Sequence, residues 1–283
     1  MLKVIGVLGS CRKLGNSEVL LREALLSAQA LGAETEIIRL TDLNIKPCRG
    51  CMACVFKGRC SIRDDDIDML SGKLQEADGL VVSAPTYILG TAGVIKMAID
   101  RCLNMVSRQR EFERQKRLAA LITVAGDRAF NPLGLEFLSQ FAISYGFQVV
   151  DYMEAYAQGP GEVLLDESNI NRAVALGQNL CNGFNGEYVK RISEVNQCPV
   201  CYSRVYQIMD GNRVKCPVCV STGRLTQADG KIKVVFDPAS AEKNFSNWEY
   251  RREHMNESIQ PSREVFMERR RRVKEIAARY AAE

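Results

Sequence analysis

Residues Gly79-Leu80-Val81-Val82-Ser83-Ala84 are apolar on both faces, and a second such run, Lys3 to Leu8, lies near the start of the chain. A strand with no polar side has no place at a solvated surface, so these runs belong inside a sheet covered on both faces. Around them strands and helices alternate. Glu18 to Leu31 has helical periodicity, Glu34 to Leu40 reads as a second strand, Asp64 to Gln75 as a helix, and Pro85 is expected to stop the third strand at Ala84. Gly90 to Val106 follows as helix, Arg117 to Val124 as strand, Pro132 to Tyr145 as helix, Phe147 to Tyr152 as strand and Asn169 to Phe184 as helix. This alternation predicts an α/β fold with a five-stranded parallel sheet, right-handed crossovers and helices on both faces. Ligands of such sheets bind beyond the carboxyl ends of the strands, where loops 9–17, 85–90 and 125–131 are expected to meet.

The first of these loops, Gly9-Ser10-Cys11-Arg12-Lys13-Leu14-Gly15-Asn16-Ser17, separates a strand from a helix. Free backbone N–H groups and the positive end of the helix dipole make it an anion cradle, which Arg12, Lys13, Ser10, Asn16 and Ser17 can complete around a phosphate monoester. It matches neither G-x-G-x-x-G nor the Walker pattern, because Gly9 and Gly15 are one residue too far apart and Asn16 stands in place of the lysine.

The formal charge of +4 over 283 residues is too small an excess to imply nucleic-acid binding. No run of 18 apolar residues and no signal-peptide pattern is present, so a cytoplasmic protein without a membrane partner is expected. The single histidine, His254, sits in a polar segment and reads as a solvated surface residue, which argues against histidine-based mechanisms. Asp100 and Arg101 read as a structural pair.

Eight of eleven cysteines fall into two tight groups. Cys48, Cys51, Cys54 and Cys60 form C-x2-C-x2-C-x5-C, a spacing that suits a compact [4Fe–4S] site; packed thiols or zinc are the alternatives. Cys198, Cys201, Cys216 and Cys219 form two C-P-V-C knuckles 14 residues apart. That pattern points to a tetrahedral S4 site for structural zinc, with mononuclear iron as the minority reading. The knuckles are joined by expected strands Arg204 to Met209 and Arg213 to Lys215, and a hairpin follows from Gly223 to Thr226 and Lys231 to Phe236 around Asp229-Gly230. Such a module is too small to fold without a staple. Its exposed aromatics are expected to be Tyr202 and Tyr206. The tail from Asp237 carries ten Lys/Arg and nine Asp/Glu and reads as solvated helices broken near Pro261. The organisation expected is thus 1–190, 196–236 and 237–283.

The motif Gly9-Ser10-x-Arg12-Lys13-x-Gly15-Asn16-Ser17, the segment Ala84-Pro85-x-Tyr87 with Gly93-x-x-Lys96 and Asp100-Arg101, and the cysteines between them resemble the NAD(P)H-dependent FMN reductase superfamily, within it the iron–sulfur flavoproteins. The resemblance covers about residues 1 to 185, and Cys11 and Asp127 depart from the family's usual proline and small residue. It implies a flavodoxin-like three-layer sandwich, bound FMN, and a homodimer or homotetramer with flavin near a subunit interface. Ser10, Arg12, Asn16 and Ser17 would hold the phosphate; Pro85, Thr86, Tyr87 and Gly90 would border the ribityl chain and ring; Ala125, Gly126 and Asp127 would meet the other ring edge. The function implied is an FMN-dependent oxidoreductase or electron carrier. It would take electrons from NAD(P)H or a redox partner and pass them to a quinone, flavin, aromatic compound or protein. The alternative is a partner- or nucleic-acid-docking module built around the ribbon. The ribbon and tail lie outside the resemblance.

Overall fold

The computed structural model describes residues 1–105, 116–187, 196–228 and 230–280, so Val106 and Asp229 lie outside the described residues. The strands of the main sheet are Lys3–Leu8 (β1), Glu34–Arg39 (β2), Gly79–Tyr87 (β3), Gly90–Thr91 (β4), Leu118–Ala125 (β5) and Gln148–Tyr156 (β6). The two apolar runs pair directly, Val4 opposite Gly79 and Leu8 opposite Ser83. Five strands are parallel in the order β2-β1-β3-β5-β6, the flavodoxin-like order, and β4 turns back antiparallel on β3.

Asn16–Ala30 (α1) and Glu167–Phe184 (α6) cover one face through Leu20, Leu21, Leu25, Leu176 and Leu180. Ile67–Glu76 (α3), Gly93–Asp100 (α4) and Gly134–Ser144 (α5) cover the other, and a short helix, Ala53–Lys57 (α2), lies inside the first cysteine loop. The two helices of the first face touch backbone to backbone: a Cβ at Gly177 would stand 2.0 Å from the Ala24 carbonyl oxygen.

Three local expectations are corrected. The third strand does not stop at Ala84 but runs through Pro85 to Tyr87. β1 ends opposite Ser83, so no β1 residue stands opposite Pro85 to need its missing N–H, and the Pro85 carbonyl instead accepts from Ala92 N–H at 3.0 Å. The helix expected from Gly90 begins at Gly93 and ends at Asp100, because Gly90 and Thr91 are drawn into β4. Pro261 does not break the tail. Trp248–His254 (α7) passes through a π-helical turn, Met255–Ile259, into Gln260–Ala277 (α8), where Pro261 sits in the first turn. The wider turn absorbs the lost donor that would otherwise kink the helix.

The C-terminal strands Gln207–Ile208 (β7), Arg213–Lys215 (β8), Thr222–Ala228 (β9) and Lys231–Phe236 (β10) make a separate antiparallel sheet in the order β10-β9-β8-β7. The strand expected from Arg204 shrinks to β7 because the Arg204 and Val205 N–H groups donate to side chains, Glu136 and Ser203. This small sheet is anchored to the main core. Cys198, Cys201, Cys216 and Cys219 join the apolar layer under α5, and Ser139 Oγ donates to the Cys201 carbonyl at 2.8 Å. Tyr202, expected on the surface, is wholly buried; its hydroxyl donates to the Val150 carbonyl and its ring lies 5.3 Å from that of Tyr152. In the tail, Trp248 packs on Gly146 and Arg251 donates to the carbonyls of Ile143 and Phe245. By contrast, α8 buries no residue.

Gly177→Ala forces the two helices apart, and urea unfolding is expected to show a loss of about 3 kcal/mol; an unchanged midpoint would contradict the close packing.

Candidate functional site

Glycine at the N-cap of α1 decides how the first loop is used. Gly15 supplies no capping side chain, so the first-turn amides of Asn16 and Ser17 are left without a side-chain partner at the cap. The loop itself is pinned from behind. Gly9 N–H donates to the Ser83 carbonyl at 2.8 Å, Ser83 Oγ donates to the Ser17 carbonyl at 2.8 Å, and Arg39 donates to the Ser10 carbonyl at 2.6 Å. Glu18, with 3% of its side chain exposed, accepts from Leu14 N–H at 2.9 Å and pairs with Arg39 and Arg22, both at 2.7 Å. Burial pushes its carboxyl up, but the hydrogen bonds from Arg39, Arg22 and Leu14 outweigh that and bring the pKa down to about 2.

Beside this cradle lies a cavity of about 260 Å³ lined by Ser10, Arg12, Asn16, Ser17, Pro85, Thr86, Tyr87, Ala125 and Gly126. Residues from all three expected loops therefore meet at one edge of the sheet. Gly90 and Asp127 stand outside the lining. Gly90 pairs with Tyr87 in the β3–β4 hairpin, and Asp127 turns its carboxylate to the Ala129 N–H. Asn16 spends its side chain on a neighbouring loop, donating to the Gly159 carbonyl at 2.9 Å and accepting from Val163 N–H at 3.3 Å. That loop also contributes Ala157 and Gln158 to the cavity. Sequence reasoning missed both residues because it ended the fifth strand at Tyr152, four residues early.

The β3–β4 hairpin carries strain. Its two central residues, Ile88 and Leu89, both have positive φ, 46° and 68°, where turns of this kind favour Asn-Gly. Ile88 is 97% exposed. Leu14, Leu89, Phe130, Leu133, Leu164 and Leu165 are also exposed, and all belong to loops leaving the carboxyl ends of the strands. The polar cradle thus has an apolar surround.

The four cysteines of the first group line one small hollow with Ser61, Ile62, Asp100, Arg101, Leu103 and Asn104. Arg101 does not pair with Asp100, which instead meets Lys96. It is tied at 2.5 Å to Asp65, both side chains 1% exposed, and donates to Cys60 Sγ at 3.4 Å and to the Lys46 carbonyl at 2.6 Å. Cys51 shares a 3.1 Å hydrogen bond with Ser61, which lowers its thiol pKa, while burial raises that of Cys54. These thiols are not drawn together tightly enough for a single ion. Among the described residues, the group that is so drawn is the second: the sulfurs of Cys198, Cys201, Cys216 and Cys219 lie within 4.8 Å of one another. The pairs Cys198–Cys219 and Cys201–Cys216, at 3.5 and 3.4 Å, are too long for disulfides and suit the edges of a sulfur tetrahedron. Each knuckle repeats the same backbone turn, with Tyr202 and Val220 at φ 62° and 63° and their N–H groups donating to the first cysteine's carbonyl at 3.0 Å. Hydrogen bonds from the three other sulfurs pull the Cys216 thiol down, while burial pushes that of Cys201 up.

The NADPH-dependent FMN reductase family model matches residues 2–158. An iron–sulfur flavoprotein of Methanocaldococcus jannaschii is 44% identical over 100 residues, 35% of this chain and 51% of the relative, so the match spans about half that protein's length. A flavone synthase of Aspergillus candidus is 26% identical over 255 residues, 79% of this chain and 78% of the relative. A solved flavone reductase, 21% identical, superposes with a TM-score of 0.76 over 99% of this chain and 97% of its own, so its fold includes counterparts of the small sheet and tail.

Two measurements test the site. Because the folded pKa of Glu18 lies below its unfolded value, its contribution to stability is present above about pH 4.5 and is lost as pH falls toward 2. Glu18→Gln is expected to flatten the acid limb of the pH–stability curve over that window. For the second cysteine group, elemental analysis is expected to find bound metal in the wild type and a loss of it in Cys216→Ser, with earlier thermal unfolding.

Proposed function

The chain belongs to the NADPH-dependent FMN reductase family, a family of oxidoreductases, and from that premise we propose that it binds FMN in the 260 Å³ cavity and uses it to reduce a planar aromatic acceptor at the expense of NAD(P)H. The observation that carries this reading is the uncapped N-terminus of α1 opening into a cavity whose far wall is Tyr87 and whose surround is apolar. Bound FMN would accept a hydride from the nicotinamide and pass the electrons on to the acceptor. What the chain supplies is placement. The amides of Asn16 and Ser17, with Ser10 and Arg12, would hold the phosphate; Pro85, Thr86 and Tyr87 would border the ribityl chain and ring; Ala125 and Gly126, which present little side chain, leave room for the opposite ring edge.

The similarity to the flavone synthase of Aspergillus candidus supports a flavone-like or other planar phenolic acceptor over free flavin, with quinones as the wider class. Support for zinc between the two knuckles comes from the sulfur spacing and the repeated turns. Support for a [4Fe–4S] cluster at Cys48, Cys51, Cys54 and Cys60 comes from their shared hollow and from the Arg101 donor at Cys60. A cubane spaces its thiolates more widely than one ion does. The apolar surround of the cavity, which a second copy could cover, supports a homodimer or homotetramer. The docking alternative has less support, since the knuckles and Tyr202 face the protein's own core.

Anaerobic purification with an absorption spectrum and iron, zinc and sulfide analysis tests the cofactors together. An apoprotein titration is expected to show FMN binding that Arg12→Ala weakens about tenfold, the equivalent of one charge-assisted contact, with NAD(P)H then bleaching the flavin and a flavone reoxidising it. Protein that neither carries nor takes up FMN would overturn the proposal.

A further inference from the structure

We infer that the four-cysteine ribbon is a positioning element of the cofactor site, acting through Arg204 on Thr86; this rests on the FMN reading above. Thr86 lines the cavity, and its hydroxyl donates to Asn131 Oδ1 at 2.6 Å. Thr123, on β5, donates to the same oxygen at 3.3 Å. The other end of that side chain, Asn131 Nδ2, donates to Glu154 Oε1 at 3.2 Å, and the same carboxylate oxygen accepts from Arg204 Nη2 at 2.7 Å. Arg204 stands three residues after Cys201, and its backbone N–H donates to Glu136 Oε1 at 3.1 Å beside Ser203 Oγ at 3.3 Å. An unbroken chain of hydrogen bonds therefore runs from Arg204, three residues beyond the first knuckle, to the wall of the cavity.

Donor and acceptor logic fixes the direction of this chain. A carboxylate oxygen only accepts, so Glu154 obliges Asn131 to present its NH2 end and to turn its oxygen toward the two threonines. Arg204 holds Glu154 in that position. The cluster has no slack: Asn131 and Thr123 are 3% and 1% exposed, and a Cβ at Gly134 would stand 2.2 Å from Asn131 Oδ1, 2.4 Å from Thr123 Oγ1 and 2.7 Å from Thr86 Oγ1.

Thr86 needs such a tether. Pairing of β3 with β1 ends at Ser83 and with β5 at Pro85, which leaves Thr86 and Tyr87 attached to the sheet by the two-residue β4. The hydroxyl of Thr86 ties the cofactor wall to the body of the protein through Asn131 at 2.6 Å and, more weakly, through Thr123 Oγ1 at 3.3 Å, and the ribbon supplies the far anchor of the shorter bond. The ribbon needs no partner of its own under this reading. The ribbon's chain, held to α5 through Glu136, sets where Arg204 stands, and Arg204 sets the wall.

The test uses the full-length protein and three readouts: the FMN dissociation constant of the apoprotein, the visible spectrum of bound FMN, and metal content. Arg204→Met is expected to retain metal, weaken FMN about tenfold and shift the flavin absorption bands, with Arg204→Lys restoring part of the affinity. Glu154→Gln, which lies outside the ribbon, is expected to do the same and decides the matter should Arg204→Met fail to fold. Adding Thr86→Ala to either variant is expected to weaken FMN little further, because the three residues form one chain. Unchanged FMN affinity and spectrum in metal-replete Arg204→Met and in Glu154→Gln, or fully additive losses with Thr86→Ala, would overturn the inference while leaving the FMN reading intact. A wild type that binds no FMN would overturn both.

Discussion

A parallel sheet whose inner strands β1, β3 and β5 are buried on both faces leaves a chain few places to do chemistry. Their side chains are committed to the two apolar layers, so polar function is pushed to the carboxyl edge, where backbone amides run out of ladder partners. Everything distinctive about this molecule follows from how that edge is managed. The first loop leaves the first-turn amides of α1 uncapped because a glycine begins the helix, and a buried carboxylate, Glu18, holds the loop from the inside. The third strand overruns its neighbours and must be restrained by side chains instead of by a sheet. The ribbon and the main domain are then parts of one packing problem, since the cysteines at the ribbon's centre lie in the same apolar layer as α4 and α5.

The sequence was most legible where local pattern and tertiary role coincide. β1, β2, β8 and β10 are found where their alternation or continuous apolar character ends at glycine or polar residues, and the C-P-V-C knuckles announce a sulfur tetrahedron that the structure closes. It was least legible where a charge is buried against a partner distant in the chain. β6 continues past Tyr152 through Glu154, a residue that reads as a strand end until Arg204 and Asn131, 50 and 23 positions away, are seen to meet it. Arg101 shows the same difficulty: its neighbour Asp100 looks like the natural partner, yet the helix turns Arg101 inward to Asp65, 36 positions earlier, and leaves Asp100 for Lys96.

Backbone chemistry explains the other misreadings. Pro85 and Pro261 were both read as stops, and both are tolerated because the structure removes the need for their N–H, once by ending a neighbouring strand and once by widening a helical turn. Cavity residues were readable when they sat next to a recognised strand end, as Ser10, Thr86 and Gly126 do. Ala157 and Gln158 were hidden because the element before them had been cut short.

The Ile88-Leu89 turn has a bearing on how this protein can be altered. Two consecutive left-handed residues, one of them β-branched, store a few kcal/mol of backbone strain that an Asn-Gly pair would release. A laboratory selection that rewards heat resistance alone would therefore erase this hairpin early, whereas a selection that rewards turnover would keep it. The identity of these two residues after each kind of selection would separate what the fold needs from what the edge of the sheet is used for.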